Sequence, residues 1–102
     1  MEPTYDVVWP KSPMGVQTAR TAPRLDTLDG KTIAFLWDYL FRGDELFPVL
    51  AEALQARHPT LEVVPYEVFG NTHGGDEAAV IEALPERLRH RGVDAVVSGM
   101  GC

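Results

Sequence analysis

The sequence is poor in the residues on which several classes of protein depend. Its 102 residues include one cysteine, so no intrachain disulfide can form, and 9 Lys and Arg face 15 Asp and Glu, for a net charge of −6. This acidic balance argues against nucleic acid, which is bound mainly through basic side chains on phosphates. No apolar run reaches the roughly 20 residues that span a bilayer, and residues 1–6 lack the features of a secretory signal. We therefore expect a cytoplasmic protein with a small-molecule or protein partner and no membrane contact.

Residues 1–24 are rich in proline and show no helical or strand periodicity. Four of the eight prolines lie there. Because proline fixes φ and donates no backbone hydrogen bond, this segment is predicted to be an extended arm. Its apolar Tyr5 and Trp9 favour an arm packed on protein, either on its own domain or on a partner subunit. The folded domain is predicted to span residues 25–102.

Three apolar runs alternate with two stretches of helical periodicity after residue 25. The runs at 32–36, 61–66 and 93–97 predict strands, the first and third of them buried. Asp44 and Asp76 are predicted as the N-caps of the two helices. Pro65 indicates an edge position for the second strand, and Pro85 predicts a kink or break in the second helix.

This order of elements predicts an α/β fold with β-α-β-α-β topology. Right-handed crossovers and the edge position of the second strand favour the strand order 2-1-3, one half of a doubly wound, Rossmann- or flavodoxin-like parallel sheet. Two helices cover three strands poorly, and the third strand is left with an open edge, which is a template for another chain. We therefore expect a second polypeptide to complete the sheet, either a complementary subunit or a cleaved C-terminal half.

Three predicted loops, at residues 37–42, 69–75 and 98–102, follow the strands at their carboxyl ends, where open α/β sheets bind ligands. Cys102 is the candidate nucleophile because helix N-termini on that side favour a thiolate; alternatively it is an inert apolar residue. Asp38 is a candidate general base, orienting group or metal ligand, or it pairs with Arg42. His73 is a candidate acid/base group, or it is simply a solvated loop histidine.

The remaining candidates are predicted to bind substrate. Trp37, Tyr39 and Phe41 either line an apolar pocket or belong to the core. Asn71 and Thr72 either donate hydrogen bonds to a ligand or cap the second helix. The set is completed by Arg42, Ser98, Gly99 and Gly101, the two glycines allowing close approach of another group. With no G-x-G-x-x-G and no Walker A lysine, no cofactor is predicted, and a metal bound at Cys102 is left open.

Three segments resemble the UGSC-type family of cysteine or selenocysteine proteins: residues 24–36 (RLDTLDGKTIAFL), 46–54 and 93–99. The resemblance covers residues 24–102. In that family a strand leads to U/C-G-S-C at the head of the next helix, which implies a redox-active thiol or selenol with a second thiol three positions later. Cys102 matches the first motif cysteine or the residue before it. The aromatic first loop departs from the family's polar segment and implies a more apolar substrate.

The function expected from these features is that of a subunit or processed fragment of a thiol-dependent enzyme. It would act as a reductase or cleave a carbon–heteroatom bond in a small, partly apolar molecule, with Cys102, Asp38 and His73 in the catalytic site. Two alternatives stay open. One is a metal-dependent hydratase or lyase subunit with Cys102 as a ligand, and the other is a non-catalytic module that binds a small ligand or a partner.

Overall fold

The computed structural model describes residues 3–6, 15 and 18–101. The described residues up to 24 are exposed and belong to no helix or strand. The elements that follow are β1 (Thr32–Trp37), α1 (Gly43–Arg57), β2 (Glu62–Val64), a 3-10 turn (Tyr66–Val68), α2 (Glu77–His90) and β3 (Ala95–Gly99). Within the described ranges, no helix has the length and apolar character needed to cross a membrane.

The three strands form one parallel sheet in the order β2-β1-β3, as predicted. Thr32 of β1 is in register with Glu62 of β2, and Ile33 is in register with Ala95 of β3. The sheet therefore has the α/β, half-Rossmann-like architecture that the alternation of apolar runs and helical periodicity indicates. Because β1 is central, five of its six residues are buried, which explains its continuous apolar sequence.

The two helices pack on opposite faces of β1. Ile33, Phe35 and Trp37 pack with Phe47 of α1 in one core cluster. Ala34 and Leu36 pack with Phe69 in the second cluster, against which Leu84 and Leu88 of α2 lie. Since successive strand side chains point to opposite faces, the odd-numbered residues of β1 face α1 and the even-numbered ones face α2.

Two of the predictions about the helices need correction, and one is confirmed. Arg42, not Asp44, precedes the first residue of α1, so Asp44 lies within the first turn. Asp76 does cap α2, but its side chain makes no capping hydrogen bond. Of the kink or break predicted at Pro85, the break is wrong, because α2 continues through it to His90, and the kink stays a prediction.

The prediction that the third strand is buried is also wrong. Alternate residues of β3 are exposed, and 41% of the Val96 surface is accessible. Val96 and Ser98 lie on the face of α2, whose own residues are all at least partly exposed. β3 therefore carries more apolar side chains than the described residues bury.

Candidate functional site

Side chains from the three predicted loops line one cleft at the carboxyl ends of the strands. Its volume is about 320 Å³. Four predicted site residues contribute to it, namely Asp38, Thr72, His73 and Ser98. The rest of its lining is apolar and consists of Leu36, Ile81, Leu84 and Met100. The cleft lies on the α2 face, beside the exposed side of β3.

Asp38 follows β1 directly and is buried, with 6% of its surface accessible. One carboxylate oxygen, Oδ2, accepts a hydrogen bond from the Gly101 N–H at 2.8 Å. The other, Oδ1, accepts from the Leu40 N–H at 3.1 Å. The Asp38 N–H donates to the Gly99 carbonyl at 3.2 Å. Asp38 therefore links the end of β1 to the segment that leads out of β3.

The alternative prediction that Asp38 forms an ion pair with Arg42 is wrong. The Arg42 guanidinium instead contacts the Glu45 carboxylate, with Nε 2.8 Å from Oε2, and its side chain is highly exposed. The physical reason is that the Asp38 carboxylate is turned inward toward two backbone N–H groups. A buried carboxylate gains more from such donors than from a solvated surface cation.

His73 lies at the rim of the cleft in an exposed loop. Its Nδ1 lies 3.6 Å from Oε2 of Glu77 in the first turn of α2. Its backbone N–H donates to the Asn71 side-chain oxygen at 2.8 Å, and the Thr72 N–H donates to the Trp37 carbonyl at 3.2 Å. Neither Asn71 nor Thr72 caps α2, so that alternative is wrong. These bonds instead tie the loop to β1 and leave the His73 ring facing the cleft.

The aromatic residues of the first loop pack against one another on the opposite, α1 face. The Trp37 and Tyr39 rings stack at 4.3 Å, and Tyr66 meets Trp37 edge-on at 4.9 Å. Phe41 lies edge-on to Trp37 at 5.8 Å. Neither the cleft described above nor the one on the α1 face described below is lined by Trp37, Tyr39 or Phe41. The packing matches the core alternative, and substrate binding by these three residues stays a prediction.

Two glycines allow this aromatic packing to reach the end of β3. A Cβ at Gly99 would lie 2.7 Å from Cζ of Phe47, and one at Gly101 would lie 2.8 Å from Cδ1 of Phe41. Real Cβ atoms essentially never come so close to another atom. The close approach predicted at these glycines is therefore made by the protein's own Phe41 and Phe47.

The two tyrosines of the aromatic packing remain neutral well above neutral pH. Burial raises the pKa of Tyr39 above its ordinary value, and the negative charge of Glu67 raises it further. Burial likewise raises the pKa of Tyr66, with added contributions from the charges of Glu67 and Asp44. A hydroxyl that stays protonated can donate a hydrogen bond but does not act as a base near neutral pH.

Cys102, the predicted nucleophile, lies outside the described residues. Among residues 3–6, 15 and 18–101, no group of three or more His, Cys, Asp or Glu side chains is arranged to hold a metal ion. Sequence reasoning did not single out the apolar lining residues Ile81, Leu84 and Met100. The signal for the first two was present, since a spacing of three places them on one face of α2.

Comparisons with known proteins identify one relationship. No curated protein and no solved structure gives a significant match to the sequence. A family model described as the UGSC family matches residues 6–102, which includes most of the proline-rich arm as well as the whole sheet. The match extends over nearly the entire sequence, so the chain belongs to the UGSC family.

Proposed function

We propose that this chain forms part of a thiol-dependent enzyme that reduces, or cleaves a carbon–heteroatom bond in, a small, partly apolar molecule. One observation carries the proposal: the 2.8 Å hydrogen bond from the Gly101 N–H to Asp38. It fixes the backbone next to Cys102 beside the cleft that holds His73. Gly101, which precedes the predicted nucleophile in the sequence, and His73 therefore belong to the same end of the sheet, which supports the proposal.

The three residues have different roles in this proposal. Cys102 is the nucleophile. His73 is the proton donor to the leaving group, with Glu77 orienting its ring from 3.6 Å. Asp38 is a positioning residue, because both of its oxygens already accept backbone hydrogen bonds and its surface is 6% accessible. The apolar side of the cleft, formed by α2 and Met100, suits a substrate that is only partly polar.

The reaction can be written in balance with two thiols. The Cys102 thiolate forms a bond to the substrate carbon while the carbon–heteroatom bond breaks, and the heteroatom leaves with the bonding pair and a proton from His73. A second thiol, which this one-cysteine chain lacks and the proposed second polypeptide would supply, then attacks sulfur, and the carbon leaves as a carbanion that takes up a proton. The sum converts R–X and two thiols into R–H, HX and one disulfide.

A second polypeptide that completes the sheet is part of the proposal. Within the described residues, β3 pairs with β1 along one side and with no strand along the other. Beside that edge, large apolar side chains are exposed: Val96 at 41%, Ile81 at 53% and Met100 at 80%. A strand added at β3, with a helix packed beside α2, would cover these side chains and close one wall of the cleft.

The thiol chemistry is tested by alkylation of natively purified protein with iodoacetamide. The chain has one cysteine, so the alkylation rate at that position can be followed by mass spectrometry across pH. We expect an apparent thiol pKa below the ordinary ~8.5. His73→Gln should change the profile, while His90→Gln, at the far end of α2, should not. An ordinary or raised thiol pKa with no response to His73→Gln would contradict the proposal.

The partner is tested by placing a charge at the open edge. Val96→Lys should abolish co-purification of a second chain and reduce the sedimentation coefficient to that of the isolated chain, because a lysine on an edge strand opposes strand addition. Val49→Lys is the matched control, since Val49 is 63% exposed on α1, away from β3. Equal sedimentation of both variants and the unaltered protein would contradict the proposal.

A further inference from the structure

A second cleft lies on the other face of the sheet, between α1 and the β2 edge. Its volume is about 230 Å³, and its lining residues include Phe35, Phe47, Pro48, Tyr66 and Glu67. Phe35 points to the α1 face, whereas Leu36 lines the first cleft on the α2 face. The two clefts are therefore separate, and no residue of the proposed thiol site contributes to this one.

The walls of this cleft are aromatic and aliphatic. The rings of Phe35 and Phe47 lie 5.0 Å apart, and those of Phe47 and Tyr66 lie 5.6 Å apart and tilted by 45°. Phe35 and Phe47 are almost fully buried, with 2% and 3% of their surfaces accessible, so the half-buried Tyr66 is the ring most open to the cleft. An apolar lining suits apolar groups, and an aromatic ring also attracts a cation through its negative face.

The only charge among the lining residues is negative. Glu67 lines the cleft, and Asp44 in the first turn of α1 is close enough for its charge to raise the pKa of Tyr66 together with Glu67. In the part of the chain that the structure describes, neither carboxylate forms an ion pair, since Arg42 is engaged by Glu45. The electrostatic field at the cleft therefore favours a cation and disfavours an anion.

We propose that this cleft binds a small organic ammonium ion that carries apolar substituents. The apolar substituents would lie against Phe47 and Pro48, and the cationic centre would face the Tyr66 ring and the Glu67 carboxylate. A bare metal ion does not fit, because one carboxylate and aromatic rings do not provide its ligand set. The cleft is large enough for a quaternary ammonium group with a short side arm.

The probe for this proposal is choline, compared with its uncharged isostere 3,3-dimethyl-1-butanol, each titrated into isotopically labelled full chain and followed by NMR. We expect saturable shifts at Ala51, Val63 and Tyr66, with choline bound at least about three-fold more tightly than the isostere. Glu67→Gln should weaken choline binding by about two- to five-fold. Glu62→Gln is the matched control, because Glu62 is exposed on β2 but does not line the cleft.

A filling substitution tests the location. Ala51→Leu places a larger side chain in the cleft and should abolish choline-induced shifts while α1 retains its backbone signals. Equal affinity for choline and the isostere, unchanged binding in Glu67→Gln, or shifts that persist in Ala51→Leu would each overturn the proposal. These binding measurements do not depend on Cys102, so their outcome is independent of the proposed thiol chemistry.

Discussion

At the scale of single residues, Asp38 shows how a buried carboxylate can connect two segments of the candidate site. A buried carboxylate is costly unless hydrogen bonds satisfy it. Here the donors are two backbone N–H groups, from Leu40 and Gly101. Through these bonds Asp38 holds the segment that follows β3 in place, and its role as a general base stays a prediction.

Asp38→Asn tests this assignment. An asparagine has one acceptor oxygen, so its NH₂ group would face one of the two N–H donors and leave it unsatisfied. We expect a loss of about 1–3 kcal/mol in the free energy of unfolding, measured in urea. Asp26→Asn, at an exposed position before β1, serves as the control. Unchanged stability of Asp38→Asn would show that the carboxylate is not needed to hold Gly101.

Gly99 is the second residue whose neighbours determine its role. A methyl group there would lie 2.7 Å from Phe47 and 2.9 Å from Phe41. Gly99→Ala should therefore destabilise the fold by about 1–3 kcal/mol through overpacking. Gly75→Ala is the matched control, since a Cβ there meets no atom within 4 Å. Similar thermal midpoints for the two variants would show that the aromatic packing is loose at the end of β3.

At the scale of elements, the local effect of a proline does not decide where a helix of this chain ends. Both helices contain one, Pro48 in α1 and Pro85 in α2, and both continue past it. Each proline removes one hydrogen bond to the carbonyl four residues earlier, which for Pro85 is that of Ile81. Leu84 and Leu88 keep α2 on the sheet through their contacts with the second core cluster. Tertiary packing therefore outweighs the local penalty.

Pro85→Ala should consequently stabilise the protein. Pro85 is exposed, so no packing is lost, and the missing backbone hydrogen bond is restored. The free energy of unfolding should rise by up to about 3 kcal/mol, the difference between alanine and proline in a helix interior. Glu82→Ala, exposed on the same helix, reports the gain from alanine alone. A decrease in stability at Pro85→Ala would show that the proline ring itself contributes to the packing of α2.

Local sequence patterns and the rules of sheet topology were enough to predict part of the fold. The apolar run of β1, the edge position implied by Pro65 and the handedness of crossovers together led to the observed strand order. That order also placed Asp38, Thr72, His73 and Ser98 at one end of the sheet. The Arg42 pairing and the exposure of Val96 could not be predicted, because they depend on which groups lie nearby in space and on what covers the sheet.

At the scale of the whole molecule, the sheet is covered unequally. β1 is almost entirely buried, whereas α2 has no buried residue and β3 is exposed at alternate positions. At the opposite end of the strands, side-chain contacts join segments that are distant in the sequence. The Gly30 N–H donates to the Thr60 hydroxyl, the Thr32 N–H donates to the Asp94 carboxylate, and His58 contacts Asp29. Local stability should therefore fall from β1 toward the β3 edge, which is also the edge proposed for the second polypeptide.

Amide hydrogen exchange can measure this gradient. In the isolated chain we expect the slowest exchange in β1 and clearly faster exchange in α2 and β3, because opening free energy follows buried apolar contact. Addition of the proposed second polypeptide should slow exchange in β3 and α2, while the amides of α1 serve as an internal reference. A partner most strongly protects the amides of the elements that it covers, so slowing in β3 and α2 no greater than in α1 would contradict contact at this edge. Equal protection of β3 and β1 before any partner is added would show that the edge is already covered within the chain.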